Sequence, residues 1–503
     1  MLTNHNIFRG ICIHISSYKQ RKHIHTLCAA VAGVWCAIAF TEGHCSEGGT
    51  EERDITRIKQ RYPLPQSQLD NYGVAVWKNT SSNTRKTYWN NESAYVLSEQ
   101  AVDKLQRTSY ELHTMLLEAV DLVIGSDELL DEFEVPQVLR PALKKSWKNR
   151  DKDLLGRIDI LWDGTGDPKL INCEADTPSM LVESALMQKL WFDYEKEKNT
   201  GSEMASAICF NQIHEMLVKS WQDIVPPGLS TSFVSAFDVS EIPGTDAKIS
   251  EGGHMSYLLK TAQEAGVTMS ETSIDLLDFL RQPTKSRHMC IKDYSYHDLA
   301  REPYGWNLFT PSAGAAEEPN YQFIEPPWKF IVNNPAILAV LWKMYPHHKN
   351  LIFATCDKNN ATTYMTEPGQ VLVVKCGSPG YRYERAVLED SANSSDLQIK
   401  KIPSKSTVYL SAYDLSAPLI GCWMVFGRPA GICFHESCGV STSVRSVIPH
   451  YIVGQKFETL GYPQFLSAKQ QSLWLDIYGV HRDMQSCESN STPNLWKWIY
   501  RHI

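Results

Sequence analysis

The chain of 503 residues lacks an excess of positive charge, any paired-cysteine spacing and any internal repeat. Its formal net charge is −8, which gives no basic field for a nucleic-acid partner. Thirteen cysteines are present, but their number is odd and none follows CxxC spacing, so the sequence predicts neither a disulfide framework nor a zinc module. These absences favour a globular protein whose thiols are free.

Long hydrophobic runs are also absent. The most apolar stretch, TLCAAVAGVWCAIAF at residues 26–40, is shorter than the roughly 20 residues that a membrane span needs. It fits the hydrophobic region of a signal peptide better. We interpret residues 1–50 as a leader outside the fold. We expect a cytoplasmic protein, and only this leader leaves membrane association or secretory entry open.

The remaining patterns predict an α+β fold. Apolar residues recur at helical spacing between Ser98 and a helix-stopping Gly125, and two strand-like runs flank residues 427–429. Residues 331–348 predict one apolar helix, preceded by a solvated Lys329. We expect mixed sheets packed with helices over residues 51–460, followed by a C-terminal tail at residues 461–503.

The segment GRIDILWDGTGDPKLINCEADTPS, residues 156–179, predicts a β-hairpin with one polar face. Successive side chains of a strand point to opposite faces, so Arg157 and Asp159 share a face, as do Asn172 and Glu174. Asp and Gly residues between the two runs provide the turn. A symmetric hairpin pairs Arg157 with Glu174 and Asp159 with Asn172, unless a bulge shifts the register.

Two interpretations of this polar face are open. Two carboxylates and an amide oxygen suit Mg²⁺, and the planar guanidinium of Arg157 suits a phosphate. Alternatively, the charged groups pair with each other across the strands of a surface hairpin. The spacing of the four residues does not decide between them.

The same segment resembles the magnesium-site motif of the glutathionylspermidine synthase family, which includes trypanothione synthetases. That motif reads G-R-x-D, a turn, then E-x-N-A-D-[ST]. Other segments resemble the family in the same order: SYELHTMLLEAVDLVI, FNQIHEMLVKSW, IEPPWKFIVNNPAILAVLWKMYPHHKNLI, VVKCGSPG and IGCWMVFGRPAGICFHE. The resemblance covers residues 60–460.

This resemblance implies an ATP-grasp-like fold with pre-ATP-grasp elements and an ATP- and Mg²⁺-dependent carbon–nitrogen ligase. In such a ligase, ATP activates the glycine carboxylate of glutathione as an acyl phosphate, which a polyamine amine attacks. The expected partners are therefore a glutathione-like peptide and a polyamine. The family's N-terminal amidase half is not expected, because fewer than about 60 residues precede the similarity.

The resemblance also implies roles for individual residues. The catalytic residues would be Arg157 and His435, and the metal ligands Asp159, Asn172 and Glu174. ATP would be bound by Arg157, Lys375, Gly377 and Gly380. Substrate would lie near Asp176, Thr177 and Ser179, although these three residues fit equally well as caps of the following helix.

Several positions depart from the family pattern. The motif's Glu and Asn are exchanged at Asn172 and Glu174, a Lys of the family's N-K-A segment is replaced by Pro335, and an Arg by His435. Of the family's W-K-T-W-x-W-E segment, only Trp306 is matched in REPYGWNLF. Substitute cations could come from Lys329, Arg382 or Arg385. These departures leave a second hypothesis open, a non-catalytic paralogue that keeps the fold and binds a nucleotide or a partner.

Overall fold

The computed structural model describes most of the chain between residues 54 and 479. The described residues are 54–59, 64, 89–90, 92–200, 203–226, 231–235, 246–267, 269–275, 288–302, 305, 309, 321–357, 360–361, 370–375, 382–387, 408–412, 417–437, 445–454 and 459–479. The predicted leader lies outside this set. Within it, no helix combines the length and the apolar character that crossing a bilayer requires.

The strands of the described residues form four sheets. They are β1 Ile55–Lys59, β2 Ser93–Ser98, β3 Leu155–Leu161, β4 Lys169–Glu174, β5 Thr231–Ser235, β6 Met269–Asp275, β7 His288–Asp293, β8 Tyr321–Ile324, β9 Ala354–Thr355, β10 Gln370–Lys375, β11 Arg382–Val387, β12 Val408–Ala412, β13 Leu419–Val425, β14 Arg428–Ser437, β15 Arg445–Ile448 and β16 His450–Val453. The sheet orders are β1-β2-β16, β15-β14-β13-β3-β4, β6-β5-β7-β8 and β11-β10-β12-β9.

Helices connect and cover these sheets. They are α1 Glu99–Ile124, α2 Asp127–Glu132, α3 Arg140–Lys148, α4 Gln188–Lys198, α5 Ile213–Ile224, α6 Asp246–Glu264, α7 Tyr296–Leu299, α8 Lys329–Asn333, α9 Ala336–Met344 and α10 Ala468–Tyr478, with a π-helical turn at Glu183–Met187 before α4 and a 3₁₀ turn at Glu203–Ala205. The β5–β8 sheet is wholly parallel, whereas the five-stranded sheet is wholly antiparallel. The predicted mixture of helices and mixed sheets is confirmed.

The long helix α1 begins and ends where the sequence predicts. The Ser98 hydroxyl accepts a 3.0 Å hydrogen bond from the backbone N–H of Ala101, and the helix stops at Gly125. The Ser98 cap satisfies one of the backbone donors that a helix start leaves open. Most of α1 is buried, and it contacts β2, β13, β14 and α9, so it lies against the sheet that carries the polar hairpin.

The single helix predicted for residues 331–348 is wrong, because the chain breaks it into α8 and α9. Asn334 leaves the helical conformation, and Pro335 starts the second helix. Proline lacks an N–H and cannot continue the hydrogen-bond ladder of a preceding helix. The side-chain oxygen of Asn334 accepts a 3.0 Å hydrogen bond from the Ala336 N–H, which caps α9.

The predicted hairpin is formed by β3 and β4, and its register is confirmed where the polar residues lie. Arg157 pairs with Glu174 and Asp159 with Asn172, before a bulge between Asp159 and Ile160 shifts the remaining pairs. On its other edge β3 pairs with β13. The hairpin is therefore part of a five-stranded sheet, not an isolated surface ribbon.

The helix α10 packs over the tight turn that joins β13 to β14. Gly427 in this turn has φ +67°, and a Cβ there would lie 2.4–2.7 Å from ring atoms of Tyr478. Trp474 donates its indole N–H to the Gly427 carbonyl oxygen at 2.9 Å. The region predicted as a C-terminal tail thus contains a helix that contributes to the core.

Candidate functional site

The four polar residues of the hairpin share one face of the five-stranded sheet. Arg157 and Asp159 lie on β3, between β13 and β4, and are fully buried, and Asn172 is 8% exposed. The alternate residues Ile158 and Cys173 are buried on the other face. The alternation in sequence therefore places four polar groups together, three of them buried and the fourth, Glu174, with a side chain 21% exposed.

Arg157 is the centre of this group. Its Nε lies 2.6 Å from Asp159 Oδ1, and its Nη2 lies 3.1 Å from Asp159 Oδ2 and 2.8 Å from Glu174 Oε1. Its Nη1 donates to the carbonyl oxygen of Ser179, and the guanidinium lies 5.6 Å from the centre of the Trp423 ring. Burial alone would lower the pKa of Arg157, but the charges of Asp159 and Glu174 outweigh it and raise that pKa well above its ordinary value.

Gly421 makes room for this arginine. It faces Asp159 across the β3–β13 pair, and a Cβ at this position would lie 2.6 Å from Arg157 Cδ and 2.7 Å from Cys433 Sγ. Real side chains do not approach this closely, so the position accepts only glycine without a shift of its neighbours. Gly421 is a site residue that the sequence analysis did not single out.

Every carboxylate oxygen of Asp159 and Glu174 has at least one protein partner. Asp159 Oδ2 accepts a further hydrogen bond from the Asn172 side-chain amide at 3.0 Å. Glu174 Oε2 accepts from the N–H of Ser179 at 3.0 Å and from its hydroxyl at 2.9 Å. We name Arg157, Asp159, Asn172 and Glu174 the hairpin cluster.

The hairpin cluster does not fit a divalent cation in this arrangement. Each of its four carboxylate oxygens already meets a protein donor, and Asn172 presents its amide nitrogen to Asp159. Across the part of the chain that the structure describes, no group of three His, Cys, Asp or Glu residues is placed to hold a metal. We therefore derive no reaction step through a metal held by this hairpin.

Comparison with known proteins identifies the family. Residues 56–453 match the model of the glutathionylspermidine synthase preATP-grasp domain. The chain belongs to this family. Its predicted membership is thereby confirmed, and the remaining site residues can be compared with the family motifs.

Three curated relatives are similar to the chain. A Haemophilus influenzae protein named "Putative acid–amine ligase" is 26% identical over 77% of this chain and 96% of its own length. The Escherichia coli bifunctional glutathionylspermidine synthetase/amidase is 26% identical over 56% of this chain and 47% of its own length. The Crithidia fasciculata trypanothione synthetase is 23% identical over 51% of this chain and 41% of its own length. The chain thus spans under half of the latter two proteins.

Two of the three residues predicted to face substrate, Asp176 and Ser179, have protein partners. Asp176 is 3% exposed, pairs with the ammonium of Lys292 and accepts a 2.7 Å hydrogen bond from the N–H of Tyr296. Ser179 is bound to Arg157 and Glu174, and Thr177 is half-buried. In the described contacts Asp176 does not cap the helix that follows it in sequence. It accepts from the first N–H of α7 and so joins the hairpin to β7 and α7.

Lys292 is a member of this site that the sequence analysis missed. Its Nζ lies 3.8 Å from the centre of the Tyr296 ring, and its side chain is 2% exposed. The segment IKDYSYH, residues 291–297, is similar to the family's W-K-T-W-x-W-E, with Lys292 at the lysine and tyrosines at the next two aromatic positions. Trp306, the position matched in the sequence analysis, lies outside the described residues.

His435, at the position of a family arginine, lies on the same sheet face as the hairpin cluster. It is 1% exposed on β14, and its backbone pairs with Leu419 of β13 and Val447 of β15. Two strand spacings of about 5 Å separate β14 from β3. The predicted catalytic role of His435 stays a prediction.

The predicted ATP loop is only partly described. Lys375 is the last residue of β10, where its backbone pairs with Arg382 of β11. Gly377 and Gly380 lie outside the described residues, as do the side chains of Lys375, Arg382 and Arg385. Their predicted nucleotide contacts therefore stay predictions.

The interpretation of Lys329 as a solvated residue is wrong. It is 2% exposed, and its Nζ lies 2.7 Å from Asp153 Oδ2, 2.7 Å from Glu325 Oε2 and 2.6 Å from the Leu155 carbonyl oxygen. Burial raises the pKa of Glu325 to about 7, although Lys329 acts in the opposite direction. Asp153 also accepts a hydrogen bond from Tyr478. We name Asp153, Glu325, Lys329 and Tyr478 the lysine cluster.

Proposed function

We propose that the protein is an ATP-dependent carbon–nitrogen ligase that joins a carboxylic acid to an amine. The observation that carries the proposal is the family match over residues 56–453. The relatives' names support the same class, since they specify an acid–amine ligase, a glutathionylspermidine synthetase and a trypanothione synthetase. The family's Arg–x–Asp pair is kept at Arg157 and Asp159, within the matched region.

We further propose a glutathione-like peptide as the acid and a polyamine as the amine. The γ-phosphoryl group of ATP would pass to a carboxylate oxygen, which gives ADP and an acyl phosphate. The amine nitrogen would then bond to the acyl carbon, phosphate would leave with the C–O bond electrons, and the amine would lose a proton to solvent. Such phosphoryl transfer depends on positioning and charge neutralisation more than on covalent catalysis.

The cysteines of the site are consistent with this chemistry, because it needs no protein nucleophile. Burial raises the pKa of Cys433 to about 11 and raises the pKa of Cys173 as well. A protonated, buried thiol is a poor nucleophile, because the thiolate is the reactive form.

A second candidate function is a non-catalytic protein that keeps the fold and binds a nucleotide or a partner. The observation that favours it is the closed hairpin cluster, whose charges already meet protein partners. Replacement of a family lysine by Pro335 also favours the non-catalytic candidate. Losing one charge-stabilising donor can lower a rate by about 10²–10³.

The deciding experiment incubates the full-length protein with ATP, Mg²⁺, glutathione and spermidine. ADP release and the mass of any conjugate are followed together. The Lys375→Met variant tests the predicted nucleotide lysine, and Lys343→Met, at an exposed position of α9, is the matched control. A conjugate that Lys375→Met reduces and Lys343→Met does not would support the ligase. ATP binding without ADP or conjugate, in folded protein, would reject the ligase for these two substrates and support the second candidate.

A further inference from the structure

We infer that the hairpin cluster of this chain is a metal-free ionic unit, in which the Arg157 guanidinium supplies the positive charge that a divalent cation would otherwise supply. The inference starts from the register, which places Arg157 opposite Glu174 and Asp159 opposite Asn172. Side chains opposite each other in an antiparallel pair are close enough to interact strongly. The identity of the residues at positions 172 and 174 therefore decides which charges meet.

The family's E-x-N order would place two carboxylates opposite each other in this register. Position 172 would carry a glutamate facing Asp159, and position 174 an amide facing Arg157. Like charges directly opposite each other destabilise a strand pair, and buried anions need a cation to compensate them. A positive charge between positions 159 and 172 would therefore stabilise a hairpin with that order.

The exchanged order in this chain removes that requirement. Asn172 donates its amide N–H to Asp159 Oδ2 at 3.0 Å, which replaces a repulsive pair by a hydrogen bond. Glu174 meets Arg157 Nη2 at 2.8 Å instead of facing another anion. Arg157 thus bridges both carboxylates with one planar guanidinium, a geometry suited to two carboxylate partners.

The residues around Arg157 leave space for its guanidinium and contact it. Gly421 leaves the space that the Arg157 side chain fills, and Trp423 lies 5.6 Å from the guanidinium carbon. Ser179 completes the shell, because its carbonyl oxygen accepts from Arg157 and its N–H and hydroxyl donate to Glu174. The carboxylate oxygens that a cation would need are thereby already bound.

Manganese binding tests the inference without nucleotide or substrate. Electron paramagnetic resonance of free Mn²⁺ is recorded with full-length wild-type protein, with the single variant Asp159→Asn, with the double variant Asn172→Glu/Glu174→Asn, and with that double variant carrying Asp159→Asn. Circular dichroism establishes that each protein is folded. Thermal melting with and without Mn²⁺ gives a second readout, because a ligand that binds only the folded state raises Tm.

We expect wild-type protein to leave Mn²⁺ free and its Tm unchanged. The double variant should bind one Mn²⁺ about 10–100-fold more tightly than wild type, and Asp159→Asn should abolish the gain. Wild-type protein that binds one Mn²⁺, and loses it on Asp159→Asn alone, would overturn the inference. A folded double variant that binds no Mn²⁺ would overturn the role given to the exchange. Because turnover is not measured, these outcomes are independent of the ligase proposal.

Discussion

Tyr478 donates a 2.7 Å hydrogen bond from its hydroxyl to Asp153 Oδ1, across 325 residues of sequence. The same hydroxyl lies 2.9 Å from His113 Nε2 in α1. Since the hydroxyl proton is directed at Asp153, His113 must act as the donor to the tyrosine oxygen. This buried contact joins α1, the start of β3 and α10.

The first prediction concerns this hydroxyl. Tyr478→Phe removes the donor to the buried Asp153 carboxylate and the acceptor for His113, so we expect a loss of about 1–3 kcal/mol in the free energy of unfolding. Urea unfolding measures the loss. Tyr462→Phe is the control, because its 3.1 Å hydrogen bond to Gln471 is only partly buried. Equal stability of Tyr478→Phe and wild type would contradict the prediction.

The second prediction concerns the buried ammonium of Lys329. Lys329→Met leaves Asp153 and Glu325 without their common cation, and breaking a buried pair in this way costs about 3–5 kcal/mol. Protonation of Glu325 can offset part of this cost, since the pKa of its carboxyl is already raised to about 7. Denaturant unfolding at neutral pH measures this loss of stability. Lys343→Met, at an exposed position, is the control. If Lys329→Met changed the free energy of unfolding no more than the control does, the lysine cluster would not contribute to stability.

The third prediction concerns Gly421. Gly421→Ala places a methyl group 2.6 Å from Arg157 Cδ, and overpacking of this kind costs about 1–3 kcal/mol. Gly461→Ala is the matched control, because a Cβ there meets nothing within 4 Å. Thermal unfolding of both variants provides the comparison. If both melt like wild type, the arginine is not held as tightly as its contacts indicate.

The fourth prediction concerns acid stability. Burial lowers the pKa of His450 to about 3, whereas an unfolded histidine titrates near 6.5. The unfolded state therefore binds more protons below pH 6.5, so stability from this group is present above that pH and is lost as the pH falls toward 3. His450→Met should reduce the loss of unfolding free energy between about pH 7 and pH 4.

The control for acid stability is His347→Asn, because His347 is exposed to water in the folded protein. Its pH profile should run parallel to that of wild type. A profile of His450→Met that also runs parallel to wild type would show that His450 does not contribute to acid unfolding. Urea unfolding at several pH values gives all three profiles.

The sequence predicted those features that depend on local periodicity. The register of Arg157 and Asp159 against β4 followed from alternation and from a near-symmetric turn, and α1 followed from Ser98 and Gly125. The bulge after Asp159 was not predictable. The extra residue lies in β4 beyond the two polar pairs, so the alternation of the polar positions in the sequence carries no sign of it.

Contacts between distant segments were not predictable in the same way. Glu325 and Lys329 have the spacing of an exposed helical ion pair, but tertiary packing buries them with Asp153. Likewise, no local pattern links Lys292 to Asp176, which lie 116 residues apart. The break at Pro335 was predictable in principle, since proline at that position cannot continue a helix.

The position of α10 also sets an order of events during protein synthesis. Asp153 and His113 are made early, whereas Tyr478, which completes their hydrogen bonds, is made 325 residues after Asp153. Lys329 can pair with Asp153 Oδ2 before that, but Asp153 Oδ1 and His113 Nε2 lack this partner until Tyr478 has left the ribosome. Completion of the core is therefore a late event. A nascent chain that stops before α10 lacks the Tyr478 hydroxyl, so Asp153 and His113 each miss a hydrogen-bond partner and the chain is a better target for chaperones and proteases.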